Sequence, residues 1–183
     1  YRLYENNGVI KRSVISDYLK KISQEDRKKL RRLGVKFGRY HIFLFKLFKP
    51  SSVSLRILLW KSYNNKFLNL LPPTFGLNFL EGMKSANKDF MLLCGFEKFD
   101  DIYVRIDILE RLFLLIFNSD KNDNKEIKVV PEMLNLLGCS KDNFKRLLIK
   151  MDYKVYEKEK EYFIKYLPVK RKISKKDDKK DYS

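Results

Sequence analysis

The sequence predicts a mainly α protein with a small β component, divided into a basic helical half and an electrically neutral half. Three observations carry this expectation. Apolar residues recur at helical spacing behind serine, aspartate and proline start signals along most of the 183 residues. Strand-like alternation is confined to a short run near residue 127 and a pair of runs after residue 152. Charge is also unevenly placed: residues 1–50 carry a net +10 and residues 99–167 a net of zero, within a chain of +17.

In chain order, Ser13 opens a helical pattern in which Val14, Ile15, Tyr18, Leu19 and Ile22 share one face. Ser23 and Asp26 form a capping-box signature for a second helix through Leu30 and Leu33, with Gly34 as its C-terminal cap. Residues 35–49 (VKFGRYHIFLFKLFK) are too apolar for an exposed loop. Pro50-Ser51-Ser52 reads as a stop and new N-cap before a helix whose apolar positions are Leu55, Leu58, Leu59 and Tyr63. A turn cluster at residues 72–76 precedes a short helix capped by Ser85, carrying Phe90, Met91 and Cys94 and ended by Gly95.

The neutral half has a definite order. A helix from Asp107 to Phe117, apolar on most of its surface, is followed by a β-type run at Ile127–Val130 and a short helix from Pro131 to Leu137. Gly138-Cys139-Ser140 makes a tight turn into a helix from Lys141 to Met151, whose core stripe is Phe144, Leu147, Leu148 and Met151. Tyr153–Glu157 and Glu161–Tyr166 then alternate around a Lys/Glu-rich tip. Helix, strand, helix, tight turn, helix, hairpin is the order of a winged helix-turn-helix. The expected organisation is a basic helical module (1–98), a winged-helix-like module (99–167) that braces it, and a disordered basic tail (168–183).

Several function classes are poorly served by these residues. No phosphate loop and no dinucleotide fingerprint is present. The lone histidine, His41, lies in an aromatic run and reads as a packed, hydrogen-bonded core residue. Cys94 and Cys139 have neither metal-ligand nor disulfide spacing, and the pairs Asp100/Asp101 and Asp177/Asp178 sit in polar surroundings with nothing to separate their acidities. No catalytic centre, metal or cofactor is expected in this chain, which reads as non-enzymatic. Basic residues break every candidate membrane span, no leader is evident, and the expected setting is the reduced cytoplasm, away from membranes.

What the charge favours is an anionic polymer. Arg27 to Leu80 contains twelve Lys or Arg and no acid. Within it, Arg27, Lys28, Lys29, Arg31, Arg32, Lys36, Arg39, Lys46 and Lys49 are interleaved with Phe37, Tyr40, Phe43, Phe45 and Phe48. Cations of this density suit phosphates; the aromatics either stack on unpaired bases or form core. A second candidate surface is the helix bearing Lys145, Arg146 and Lys150, although Asp142 and Ile149 on the same side argue against deep insertion into a duplex groove. RNA or DNA, preferably single-stranded, is the expected partner. The alternative is a docking module for a nuclease or ribosome surface, using the neutral unit and Ile149.

The block LRRLGVKFGRYHIFLFKLFKPSSVSLRILLW (residues 30–60) resembles a C-terminal segment of alphaproteobacterial superfamily 2 ATP-dependent helicases, which are similar to the mitochondrial RNA-degradosome helicase. VRIDILERL (104–112) and MLNLLGCSKDNFKRLLIKMDYK (133–154) resemble downstream segments of the same family. Phe45 departs from the family pattern, where proline is expected, and no helicase motif is present in the chain. The resemblance implies an accessory nucleic-acid-binding domain acting in cis with a helicase core. ATP and magnesium would belong to that parent motor.

Overall fold

A computed structural model describes residues 1–65 and 68–167, so the expected basic tail lies outside the described residues. Helix accounts for about 47% of the described residues and strand for about 21%. The mainly α expectation is therefore wrong: three antiparallel three-stranded sheets form the frame.

The first sheet corrects the reading of residues 35–49. β1 (Val9–Lys11), β2 (Val35–Phe37) and β3 (His41–Leu44) pair in the order β1-β3-β2. Its strands are three or four residues long, and each of its two faces meets core. On one face Ile10, Val35 and Ile42 pack with Ile15 and Leu19; a short α1 (Arg2–Glu5) precedes β1, and Leu19 lies on α2 (Ser16–Lys21) behind a 3-10 turn at Arg12–Ile15. Val14 and Tyr18, expected on that buried stripe, are exposed, because the 3-10 turn breaks the 3.6-residue period. α3 (Gln24–Arg32) begins as expected: the Ser23 hydroxyl accepts from the Asp26 N–H at 3.0 Å, and Gly34 follows the helix at φ 95°.

On the other face, Val9 and Phe43 pack against Ile106, the first residue of α6 (Ile106–Asn118). Lys11 and His41 are paired in register on this same face, at the end that becomes polar.

The second sheet, β4-β6-β5, is built from β4 (Phe79–Leu80), β5 (Phe96–Phe99) and β6 (Ile102–Arg105). It is buried on both sides. Tyr103 and Phe96 meet α4 (Pro50–Tyr63) through Val53 and Ile57, and α5 (Lys88–Leu93) through Phe90, Met91 and Leu93. Ile102 and Val104 meet the C-terminal core. The boundary expected between residues 98 and 99 falls inside β5.

Two expectations about the helices of this region need correction. In α4 the expected apolar stripe of Leu55, Leu58, Leu59 and Tyr63 is exposed, while Val53 and Ile57 turn inward. The helix starts at Pro50 without a side-chain cap from the serines. α5 is capped by Asn87, whose side chain accepts from the Phe90 N–H at 2.9 Å, and not by Ser85.

The C-terminal elements follow the expected series: α6, β7 (Ile127–Lys128), α7 (Pro131–Leu137), α8 (Lys141–Lys150), β8 (Tyr153–Lys158) and β9 (Glu161–Tyr166), with sheet order β7-β9-β8. Local chemistry sets the boundaries. Pro131 occupies the first turn of α7, Gly138 ends it in the left-handed region, and the Ser140 hydroxyl accepts from the Asn143 N–H at 3.2 Å. Phe144, Leu147, Leu148 and Met151 are all buried, in one core with Leu109, Leu112, Ile116, Met133 and Ile164.

Candidate functional site

The three layers meet at a buried carboxylate. Glu110 on α6 accepts from the backbone N–H groups of Arg39 (2.6 Å), Tyr40 (3.0 Å) and His41 (2.8 Å), so the β2–β3 turn wraps around its two oxygens. Successive N–H groups turned inward form an anion-binding concavity, here filled by the protein's own side chain. Gly38 closes the turn by donating to the His41 carbonyl at 2.8 Å. A Cβ at position 38 would stand 2.4 Å from the Glu110 carboxyl carbon, so the close approach requires glycine.

His41 completes the junction. Its Nδ1 lies 3.2 Å from Glu110 Oε1 and its Nε2 2.9 Å from Glu97 Oε2; Lys11 Nζ donates to the second oxygen of Glu97 at 2.7 Å. Burial pulls the His41 acidity towards the neutral ring, but hydrogen bonds to Glu110 and Glu97 outweigh it and the pKa is raised. Burial likewise pushes Glu97 up, and the bonds from His41 and Lys11 reverse the sign, leaving its pKa lowered. An imidazolium between two carboxylates is thus favoured. Its role is to hold β1, β3, β5 and α6 together, since His41 is buried and both of its nitrogens are engaged.

This junction displays Arg39 at the head of a groove. Arg39, Lys121, Lys125 and Lys165 line it together with Phe113, Ile116, Phe117, Ile127, Tyr153 and Tyr166, around a volume of about 320 Å³. Four cations and no carboxylate surround an apolar floor. The Arg39 guanidinium lies over the Tyr40 ring at 5.8 Å, and Tyr40 stacks on Phe113 at a 4.0 Å centroid separation. Lys121 lies over Phe117 at 5.9 Å, and Tyr166 meets Tyr153 edge-on at 5.4 Å. Burial pushes the Tyr153 hydroxyl up to about 12. A second concavity adjoins through Arg39, Phe113 and Phe117, adding Arg12 and Phe37. The Arg31 guanidinium sits 5.5 Å from the Phe37 ring, which extends the cationic strip to α3.

The residues expected to form the interface are therefore only partly brought together. Arg31 and Arg39 join the strip. Arg27 does not serve as a free cation: it donates to the Leu19 carbonyl at 2.5 Å and ties α3 to α2. Lys29 is paired with Glu25 at 3.1 Å. Lys46 and Lys49 lie at the other end of β3 from Arg39, roughly 13 Å along the strand. Lys28, Arg32, Lys36, Lys46 and Lys49 are exposed and form no ion pair among the described residues. On α8, Arg146 clamps Asp101 with bonds of 2.8 and 2.9 Å and Lys150 pairs with Asp100 at 3.1 Å, so both brace the β5–β6 turn. Lys145 makes no ion pair among the described residues and faces an open groove with Lys141, Lys160 and Tyr162.

Arg12, Lys121, Lys125, Lys165, Phe117 and Tyr166 were not anticipated from sequence. Their unit sums to zero charge, which hid them. Four of its acids are paired away from the groove, Asp100 by Lys150, Asp101 by Arg146, Glu126 by Lys158 and Glu161 by Lys128, and none lines it. Zero net charge thus coexists with a face that is locally positive.

No family model, curated protein or solved structure matches this chain. Among the described residues no helix is long and apolar enough to cross a membrane, and no group of three or more His, Cys, Asp or Glu is placed to hold a metal ion.

Proposed function

We propose that this chain binds RNA or DNA by its sugar-phosphate backbone, as the accessory part of a larger ATP-driven helicase that supplies the motor, ATP and magnesium. The observation that carries the binding is the groove in which Arg39, Lys121, Lys125 and Lys165 converge without a carboxylate. Cations fixed around a low-dielectric floor raise the local concentration of a polyanion and release its counterions on contact. The helicase context rests on the resemblance of residues 30–60, 104–112 and 133–154 alone.

The test is fluorescence anisotropy of a labelled single-stranded 20-mer against salt. Four phosphate contacts give a slope of log affinity against log salt of roughly −3, or about a fiftyfold loss between 50 and 200 mM. Replacing Arg39, Lys121, Lys125 and Lys165 by Gln together should abolish most of that slope, whereas Arg146→Gln should leave it unchanged. Unchanged affinity in the quadruple variant would remove the assignment.

A second reading has its own observation. Ile149 on α8 is 52% exposed, beside Arg146 and Lys150, which are already paired. This favours α8 as a protein-docking face for a nuclease or ribosome surface; a stable complex in pull-down that Ile149→Ser disrupts would support it.

A further inference from the structure

We infer that the groove headed by Arg39 seats an unpaired nucleobase, so that the ligand is a single strand. The inference rests on the backbone-binding reading above and adds what occupies the apolar floor. Phe113, Ile116, Ile127 and Tyr153 are each at least nine-tenths buried in the fold and still form that floor. The rim is different: Phe117 is 65% and Tyr166 43% exposed, and the cations stand among them.

A phosphate backbone alone cannot use such a floor. An anion over apolar side chains gains nothing from them, and a duplex keeps its bases paired and stacked inside, so that inserting one requires breaking its pair and its stacking. A flexible single strand has bases to spare, each with a π-face that stacks on an aromatic ring irrespective of sequence. The size agrees, since about 320 Å³ accommodates a base of roughly 130 Å³ together with its sugar. Tyr166 is held edge-on by Tyr153, which fixes its ring at the rim before any ligand arrives. Arg39, Lys121, Lys125 and Lys165 then stand where flanking phosphates leave the groove. An acidic peptide would satisfy the cations and leave the floor empty, and so is the weaker occupant.

The experiment compares the full chain on three labelled probes: a single-stranded 20-mer, the same strand with abasic sites throughout, and the 20-base-pair duplex. The intact strand is expected to bind at least tenfold tighter than the abasic one, with similar salt slopes. Tyr166→Ala and Phe117→Ala should each cancel that advantage, and Tyr166→Phe should keep it. Phe117 is exposed, so its variant tests the site even if Tyr166→Ala fails to fold. A strand carrying 2-aminopurine should be quenched by the parent chain and less so by Phe117→Ala. Equal binding of intact and abasic strands, with a steep salt slope, would overturn base insertion and leave backbone binding standing. Absence of binding to any probe, with poly-glutamate bound instead, would overturn both.

Discussion

Replacing Glu110 by Ala removes the acceptor for three backbone N–H groups at once, together with one side of the His41 ring. A buried donor left without a partner costs about 1–3 kcal/mol. Three such donors set an upper bound near 9 kcal/mol, but the turn lies beside two concavities from which water reaches Arg39 and Tyr40. Water replacing the carboxylate for the outer two donors leaves the buried His41 N–H and a buried imidazolium with one carboxylate partner instead of two as the main losses, so the expected destabilisation is about 3–5 kcal/mol. For a chain of this length that is a drop in Tm of about 10 °C. Glu110→Gln keeps the shape but turns an amide donor towards one of these N–H groups, and should cost about half as much. Gly38→Ala should fall in the same range, since its Cβ collides with the same carboxylate and with the His41 carbonyl 2.8 Å away. Urea unfolding followed by circular dichroism, with thermal melts alongside, measures all three. A Glu110→Ala variant within 1 kcal/mol of the parent would refute the claim that this carboxylate organises the junction.

The same junction sets a pH profile. The raised pKa of His41 contributes stability that is fully present below the unfolded value of about 6.5 and is lost as pH rises through the folded value; the lowered pKa of Glu97 contributes stability present above about 4.3 and lost as pH falls through its folded value. Tm should therefore peak between these limits and decline on the alkaline side, and His41→Gln should flatten that alkaline limb; an unchanged limb would sink the assignment. Burial pushes the Cys94 thiol up to about 12, so its alkylation by iodoacetamide at pH 8 should run at least a hundredfold slower in the folded chain than in urea, read by mass spectrometry of the labelled peptide, with equal rates counting against the buried placement.

Where the chain announces its structure, it does so through chemistry confined to one turn of backbone. Ser23, Pro131, Gly138 and Ser140 each fix a helix end using groups within three residues, and the apolar stripe of α8 has only one side to bury. Residues 35–49 gave no such signal. β2 and β3 are too short to show a repeat, and Ile42 and Phe43 on successive positions are both buried because both faces of the sheet meet core. α4 misled for a related reason, being apolar on its inner and outer sides alike, so that Leu55, Leu58 and Leu59 outnumbered the Val53 and Ile57 that are buried. The groove was the least legible feature. Arg39 stood out in a run of cations, but Lys121 and Lys165 become conspicuous only once the fold brings them to one groove with Arg39. Glu110 could not have been singled out either, because its partners lie 69 to 71 residues away.

That separation has a consequence for how the groove comes into being in a cell. The turn bearing Arg39 leaves the ribosome long before the carboxylate that shapes it; at 5–20 residues per second the interval for 71 residues is roughly 4–14 s. During it the nascent chain carries its cations on an unformed turn, without the apolar floor of the groove. The groove is complete only when β9, which carries Lys165 and Tyr166, has emerged and paired with β8, so on the proposed reading the grip matures last.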